Sequence, residues 1–391
     1  MPTVTMTAMF TRVLHRNLGE SDVAHLYRTL LGREPGRSET AAQLATARDW
    51  RTLLSAIVGS DEFRNGRPTP AVPSTDVRVN TWHRDLAEWG HPSGTWSGDR
   101  EAVMGAQGFT FLVRGTNSVV DQYQDSYRLP GDWADRWDEV VQARRSGAAA
   151  LGATFCALVV PDKLSVLREH LPPEIVLQTE PPALRLTASY AVDYPIAELT
   201  AVPGGAYLRT DTHLSFEGNA ILGRWVLQRL AVGEDAALAA TSHGGAVHSY
   251  LSSGDLGSRF EPPIVEVMRT VNSWSSAAVV EDNREAVEAV GKHVGTRRVL
   301  RNVNAADPRT VVMFGDSYGF PQKHYHGIAW YLAQHFREVH FVWVPFGWDG
   351  DYVAQVGATV VVCETAERFV PRPPATRIEV PALMAAAVVE D

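Results

Sequence analysis

The stretch T-V-V-M-F-G-D-S-Y-G, residues 310–319, decides how the chain is read. Five apolar and β-branched residues in a row are what a strand buried on both faces requires. The run then breaks into Gly315-Asp316-Ser317-Tyr318-Gly319, a turn composition, ahead of a helical pattern. This predicts a strand over 310–314 with Ser317 at its carboxyl end, close to a helix N-terminus. In open α/β sheets ligands bind at that end, and backbone N–H groups there stabilise a developing oxyanion. Ser317 is therefore the candidate nucleophile. Tyr318 and Gly319 are the candidate oxyanion and pocket residues.

Other segments fit the same frame. GATFCALVVPDK (152–163), VHFVWV (339–344) and ATVVVC (358–363) are buried strands, and GFTFLV (108–113) is a further strand. Trp133–Ala150 is helical, with Trp137, Val140 and Val141 on one side, and Ile328–Phe336 is a second helix. Continuous apolar strands alternating with helices predict an α/β fold, a mostly parallel sheet covered on both faces.

Serine is a weak nucleophile until a base takes its proton, and the base needs an orienting acid. The stretch T-D-T-H-L-S-F-E-G-N (210–219) offers both. If 207–213 is extended, Asp211 and His213 point to one side. Ser215 caps the helix that follows, with Ile221, Leu222, Trp225, Val226 and Leu230 on its apolar face. Read without Ser317, the same stretch is a polar turn before a helix. Lys323-His324-Tyr325-His326 supplies two more histidines. His-x-His at a helix start does not turn both rings to one face, so His324 and His326 are placed in the pocket lining. No metal and no cofactor are expected. Trp82, Trp89, Trp96 and Trp348 are candidates for stacking on sugar rings or for ordinary packing. Lys163, after a strand end, is expected to make a structural hydrogen bond or salt bridge.

The chain has 391 residues, 45% hydrophobic and 21% charged, with a net charge of -9. That balance excludes a non-specific nucleic-acid binder, which needs excess Lys and Arg. Two domains are expected from the length. Residues 1–68 form a small helical module, with Val23, Leu26, Leu30 and Leu31 and then Leu53, Leu54, Ile57 and Val58 at helical spacing. Residues 69–79, rich in Pro, form a linker, and residues 80–391 form the main domain. No apolar run is long enough to span a membrane. The N-terminus carries Arg, His and Glu early and does not read as a signal peptide, so a cytoplasmic location is expected. Cys156 and Cys363, each within an apolar run, read as buried reduced thiols.

Taken together, these blocks resemble a known family. Gly105-Ala106-Gln107-Gly108-Phe109, Gly115-Thr116-Asn117 and Val160-Pro161-Asp162-Lys163 come first. Arg209-Thr210-Asp211-Thr212-His213, Gly254-Asp255-Leu256, Phe314-Gly315-Asp316-Ser317-Tyr318, Glu364 and Glu367-Arg368 follow in the same order. The sequence resembles the alginate O-acetyltransferases of the AlgJ and AlgX type, with an SGNH-hydrolase-like domain. The resemblance implies an α/β/α sandwich, with Ser317 as nucleophile, His213 as general base and Asp211 as its orienter. It implies an acyl donor and a hydroxyl acceptor, a sugar, as substrates. Two departures stand out: Leu214 follows the histidine where the family has Trp, and the family works outside the cytoplasm. Leu26 to Pro35 and Ser60 to Phe63 resemble a helical module that accompanies bacterial surface and polysaccharide proteins, implying a docking role toward a protein partner. The reading is an O-acyltransferase working through an acyl-serine. An esterase with the same three residues, or a non-catalytic carbohydrate-binding or scaffold protein, are the alternatives.

Overall fold

The computed structural model describes residues 18–27, 33–47, 52–53, 56–57, 60, 91–115, 117–190, 192–242, 247–261, 263–271, 277–321 and 326–388. Ten strands lie among them: β1 (Ala102–Met104), β2 (Thr110–Leu112), β3 (Thr154–Val160), β4 (Val247–Ser252) and β5 (Glu266–Val271) come first. Next are β6 (Ala277–Asp282), β7 (Arg297–Asn302), β8 (Asp307–Gly315), β9 (Phe336–Trp343) and β10 (Val360–Ala366). Six of them form one sheet in the order β3-β10-β8-β9-β7-β6. The first four of that order run parallel, and β7 and β6 complete the sheet antiparallel. The pairs β1-β2 and β4-β5 are separate hairpin-like sheets.

The helices that matter for the site are α1 (Glu20–Leu26), α2 (Arg37–Thr46), α3 (Trp133–Ala150), α4 (Pro182–Tyr190) and α5 (Ile196–Thr200). Then come α6 (Phe216–Arg229), α7 (Glu234–Thr241), α8 (Ile328–His335), α9 (Gly350–Gln355) and α10 (Val380–Val388). Among the described residues no helix is long and apolar enough to cross a membrane.

Strand side chains alternate between faces, and the parallel strands are apolar on both. Val311, Met313, Val360 and Val362 meet Leu222 and Val226 of α6 and Ile328 and Leu332 of α8. Val312, Phe314, Val361 and Cys363 meet Trp137 and Val141 of α3, with Val353 and Val380, on the opposite face. This is the expected α/β/α sandwich. Each large apolar side chain so buried contributes about 1.5–3 kcal/mol, which is why the sheet is a rigid base for loops at its carboxyl edge. Both cysteines are buried and unpaired, and burial pushes both thiols up.

α1 and α2 gather Val23, Leu26, Tyr27 and Ala47 into a small cluster with Leu53 and Ile57, and Val267 of β5 packs against it. The module boundary at 68 and the linker 69–79 lie outside the described residues, as do Leu30, Leu31, Leu54, Val58, Trp82 and Trp89.

Candidate active site

β8 ends at Gly315, and the chain turns on Asp316. Its Oδ1 accepts the Tyr318 N–H at 3.0 Å, and its carbonyl accepts the N–H groups of Gly319 and Phe320, each at 3.1 Å. The helix begins only at Ile328, and its first amides, Ile328 and Ala329, donate to the carbonyls of Tyr318 and Gly319 at 3.1 Å. This corrects two expectations. Ser317 does not sit at a helix N-terminus, and the N–H groups of Tyr318 and Gly319 hold the turn instead of facing an oxyanion. Ser317 itself is half-buried. Among the described residues no hydrogen bond occupies its backbone N–H, unlike those of Tyr318 and Gly319.

Beneath the turn lies a carboxyl group that sequence reasoning gave no role. Glu364 of β10, fully buried, accepts the Asp316 N–H at 2.9 Å, while Asp316 Oδ2 accepts the Ala366 N–H at 2.7 Å. A Cβ on Gly315 would lie 2.4 Å from Glu364 Oε2, so only glycine admits this carboxyl. Burial, with the charge of Asp316 added, pushes Glu364 well above the carboxylate range. It lies directly under the turn that bears Ser317.

The expected extended strand at 207–213 is instead a tight bend. Tyr207 and Leu214 pair as a bridge at its neck, and 209–213 fold back between them. Asp211 and His213 still meet, by a different device. The Asp211 carboxylate accepts the His213 backbone N–H at 2.9 Å, closing a local turn, and the same oxygen lies 2.6 Å from His213 Nδ1. Ser215 caps α6 as expected, accepting the Gly218 N–H at 3.1 Å. Burial lowers the affinity of His213 for a proton, but the charge and hydrogen bond of Asp211, and then Asp255, outweigh it, so its pKa is raised.

The bend is clamped from three sides. Lys163 Nζ, buried, donates to the carbonyls of Arg209 and Asp211 at 2.8 and 3.0 Å. Burial pushes this lysine down to about 7; a neutral amine still has two N–H groups for the two carbonyls. Glu266 of β5 accepts from the Thr210 N–H and hydroxyl at 2.7 Å and from the Arg209 N–H at 3.1 Å. Asp255 takes the Thr212 N–H at 2.7 Å and the Thr212 hydroxyl, and its own N–H donates to Asp211 Oδ2 at 3.0 Å. Gly254, at φ +60°, lets this last segment press against the bend, since a Cβ there would be 2.3 Å from the Thr210 carbonyl.

Tyr318 ties the two halves together. Its hydroxyl donates to the Thr212 carbonyl at 3.0 Å, and its ring centroid lies 5.7 Å from that of His213. The residue after the candidate nucleophile is thus packed on the candidate base. Arg368 supports the tyrosine, with Nη1 3.3 Å from its hydroxyl and 2.5 Å from Asp162 Oδ1.

Other predicted residues fall elsewhere. His324 lies outside the described residues. His326 is buried, with its ring against Trp330 (4.6 Å) and Phe216 (6.4 Å). It lines a small pocket with Leu214, Phe216, Tyr250 and Met268. Trp348 is 8% exposed and belongs to the core under α3, so it cannot stack on a sugar. Trp96 is half-buried, with Arg100 and Arg114 over its ring at 5.2 and 5.5 Å. Asp211, His213 and Asp255 offer ligand atoms within 4.8 Å of one another. Their carboxylate oxygens already accept N–H and O–H donors that fold the bend, and hydrogen bonding accounts for the cluster. Glu266 carried no signal beyond its place in an apolar segment, and Glu364 stood among the matched blocks without an assigned role. Lys163 makes structural hydrogen bonds, as expected of it, whereas Asp255 stood in a motif without an assigned role.

No family model matches the chain, and no curated protein matches it. Among solved structures the chain is similar to the O-acetyltransferase domain of Pseudomonas putida AlgJ, at 16% identity and TM-score 0.42, over 73% of this chain and 98% of that one. It is also similar to Bacillus cereus PatB1, at 15% identity and TM-score 0.37, over 60% of this chain and 91% of that one. Pseudomonas aeruginosa AlgX follows at 11% identity and TM-score 0.43, over 72% of this chain and 66% of that one.

Proposed function

We propose that the chain is a serine O-acyltransferase, moving a short acyl group such as acetyl to a hydroxyl acceptor, a carbohydrate or related polyol, through an acyl-serine at Ser317. The observation that carries this reading is the Asp211–His213 pair at 2.6 Å, packed through Tyr318 on the turn that bears Ser317. His213 Nε2 takes the hydroxyl proton as Ser317 Oγ bonds to the acyl carbon. The Ser317 N–H steadies the oxyanion, a donor of this kind being worth about 3 kcal/mol. The leaving group departs with the proton from His213. An acceptor hydroxyl then attacks the acyl-serine, gives its proton to His213, and Ser317 leaves with it. Asp211 holds the ring and stabilises the transient imidazolium. Sequence motifs from Gly105 to Arg368, in the order of the alginate O-acetyltransferases, support the same assignment.

The test is intact mass after brief exposure to p-nitrophenyl acetate. A single acetyl on the parent protein and none on Ser317→Ala is expected, with transfer to added polyols. Acetate release alone would make it an esterase, and no acetyl on either protein would sink the reading. The raised pKa of His213 sets a second expectation, because the base works only when neutral. The acid limb of kcat/KM should lie above the ordinary histidine value of about 6.5, with activity lost as pH falls through it. A limb below that value contradicts the Asp211 contact as the controlling interaction.

A further inference from the structure

Gly254–Gly257 form a single helical turn against the bend that carries Asp211 and His213. Its amides face the bend: Asp255 donates to Asp211 Oδ2 at 3.0 Å, and Leu256 and Gly257 donate to the Thr210 carbonyl at 3.0 and 2.8 Å. The approach is close, since a Cβ on Gly257 would lie 2.9 Å from the Thr210 Cβ. So placed, the Asp255 side chain meets Thr212, the residue between Asp211 and His213. Oδ1 accepts the Thr212 N–H at 2.7 Å, and Oδ2 accepts its hydroxyl. Both oxygens thus hold the one residue whose rotation would separate the acid from the base. A neutral amide could accept the same N–H. A carboxylate adds charge, with an oxygen within 4.8 Å of a ring nitrogen of His213.

We infer that Asp255 is a positioning residue for the base: it fixes the backbone between Asp211 and His213 and sets a second negative charge beside the imidazolium that forms in each half of the reaction. The inference rests on the transferase reading above, and adds to its three residues a fourth that acts through His213. Burial opposes protonation of His213, Asp211 and then Asp255 favour it, and Arg368 after β10 opposes it more weakly. Packing on the bend and the charge of Asp211 raise Asp255 in turn, and the charge of His213 draws it down. The other polar groups around the pair have tasks of their own. Lys163 and Glu266 hold the backbone of the bend, and Arg209 lies over the Phe109 ring at 4.8 Å. Tyr318 donates to the Thr212 carbonyl, and Tyr250 of β4 donates to the Met268 sulfur at 3.5 Å. Arg259 gives Nε to the Asp255 carbonyl at 3.1 Å and turns Nη1 to Asp99 and Glu101.

The experiment follows the His213 ring by NMR in histidine-labelled protein, its signal assigned by its absence from His213→Ala. The pH profile of acetylation by p-nitrophenyl acetate is measured alongside. In Asp255→Asn the amide oxygen still accepts the Thr212 N–H, but the charge is gone. His213 should then titrate at lower pH than in the parent, and the acid limb of kcat/KM should move down with it. The rate at about pH 5.5, taken as a fraction of the high-pH plateau, should rise about threefold. Asp255→Ala removes the charge and the hold on Thr212 together. It should also lower the plateau about tenfold, a loss that Asp255→Asn recovers in part. An unmoved His213 titration in Asp255→Asn, or a plateau no higher there than in Asp255→Ala, overturns the inference and leaves Asp255 a part of the fold alone. A parent that takes no acetyl on Ser317 is a separate result, read by mass. It removes the transferase reading, while the NMR titration still decides whether Asp255 acts on the ring.

Discussion

Replacing His213 by alanine lowers transfer from an activated ester by about 10⁴-fold or more, the loss seen when the base of a serine–histidine–acid set is removed. Asp211→Asn should approach the same loss, because the asparagine no longer fixes the ring nitrogen or balances the imidazolium. The decisive variant is the double one. If Asp211 acts through His213, the two losses do not add, and the double variant is about as slow as His213→Ala alone. Multiplicative losses would mean that Asp211 matters for the bend and not for the base. Steady-state rates with p-nitrophenyl acetate decide it, alongside melting temperatures. Asp211 also receives the Asp255 N–H, so Asp211→Asn should lower stability where His213→Ala does not.

The second large effect concerns stability. Glu367 is fully buried and accepts from four donors: the hydroxyls of Tyr123 (2.6 Å), Ser165 (2.7 Å) and Tyr194 (2.8 Å), and the Asp162 N–H (2.7 Å). It joins the 3₁₀ turn after β10 to the turn after β3 and to the loop that carries Tyr123. Glu367→Ala removes the acceptor shared by four donors, of which Tyr123 and Ser165 retain only their 2.7 Å contact with each other; at about 1–3 kcal/mol for each donor left unsatisfied before relaxation, a cost of about 4 kcal/mol is expected. In a domain of this size that is a drop of roughly 10 °C in melting temperature. The pH dependence has a definite sign. Burial, and then the charge of Asp162, push Glu367 up to about 7. Its contribution is therefore fully present below the unfolded carboxylate value and lost as pH rises through about 7. Glu367→Gln removes this titration, so the fall in stability between pH 5 and 8 should be shallower than in the parent. An unchanged slope would assign the dependence to other groups.

The parallel strands were legible because strands buried on both faces are written as unbroken apolar runs, and β3, β8, β9 and β10 have that form. β6 and β7 were not, since Ala277–Asp282 is an edge strand with five exposed positions and Arg297–Asn302 is interrupted by arginine. Asp211 and His213 were paired on a wrong premise, alternation along a strand. The pairing survives because an Asp two residues before a His can close a bend through the backbone N–H. The oxyanion donors were misassigned for a related reason. Glycine and tyrosine after the serine say that a turn is present, but not that Asp316 takes its amides. The roles of Glu266 and Glu364 were not legible because a carboxylate acquires such roles from residues that approach it from elsewhere in the chain.

Strand β10 is the last strand of the sheet in sequence, yet it lies between β3 and β8. During synthesis the two flanking strands emerge long before the one that joins them. Until Val360–Ala366 leaves the ribosome, β3 and β8 each keep an open edge. Asp211, His213 and Ser317 are by then already made, but Glu364 is not under the serine turn and Glu367 and Arg368 are not beside the bend. The support of the Ser317 turn by Glu364 and the contact of Arg368 with Tyr318 therefore form only once this strand has inserted between its two neighbours.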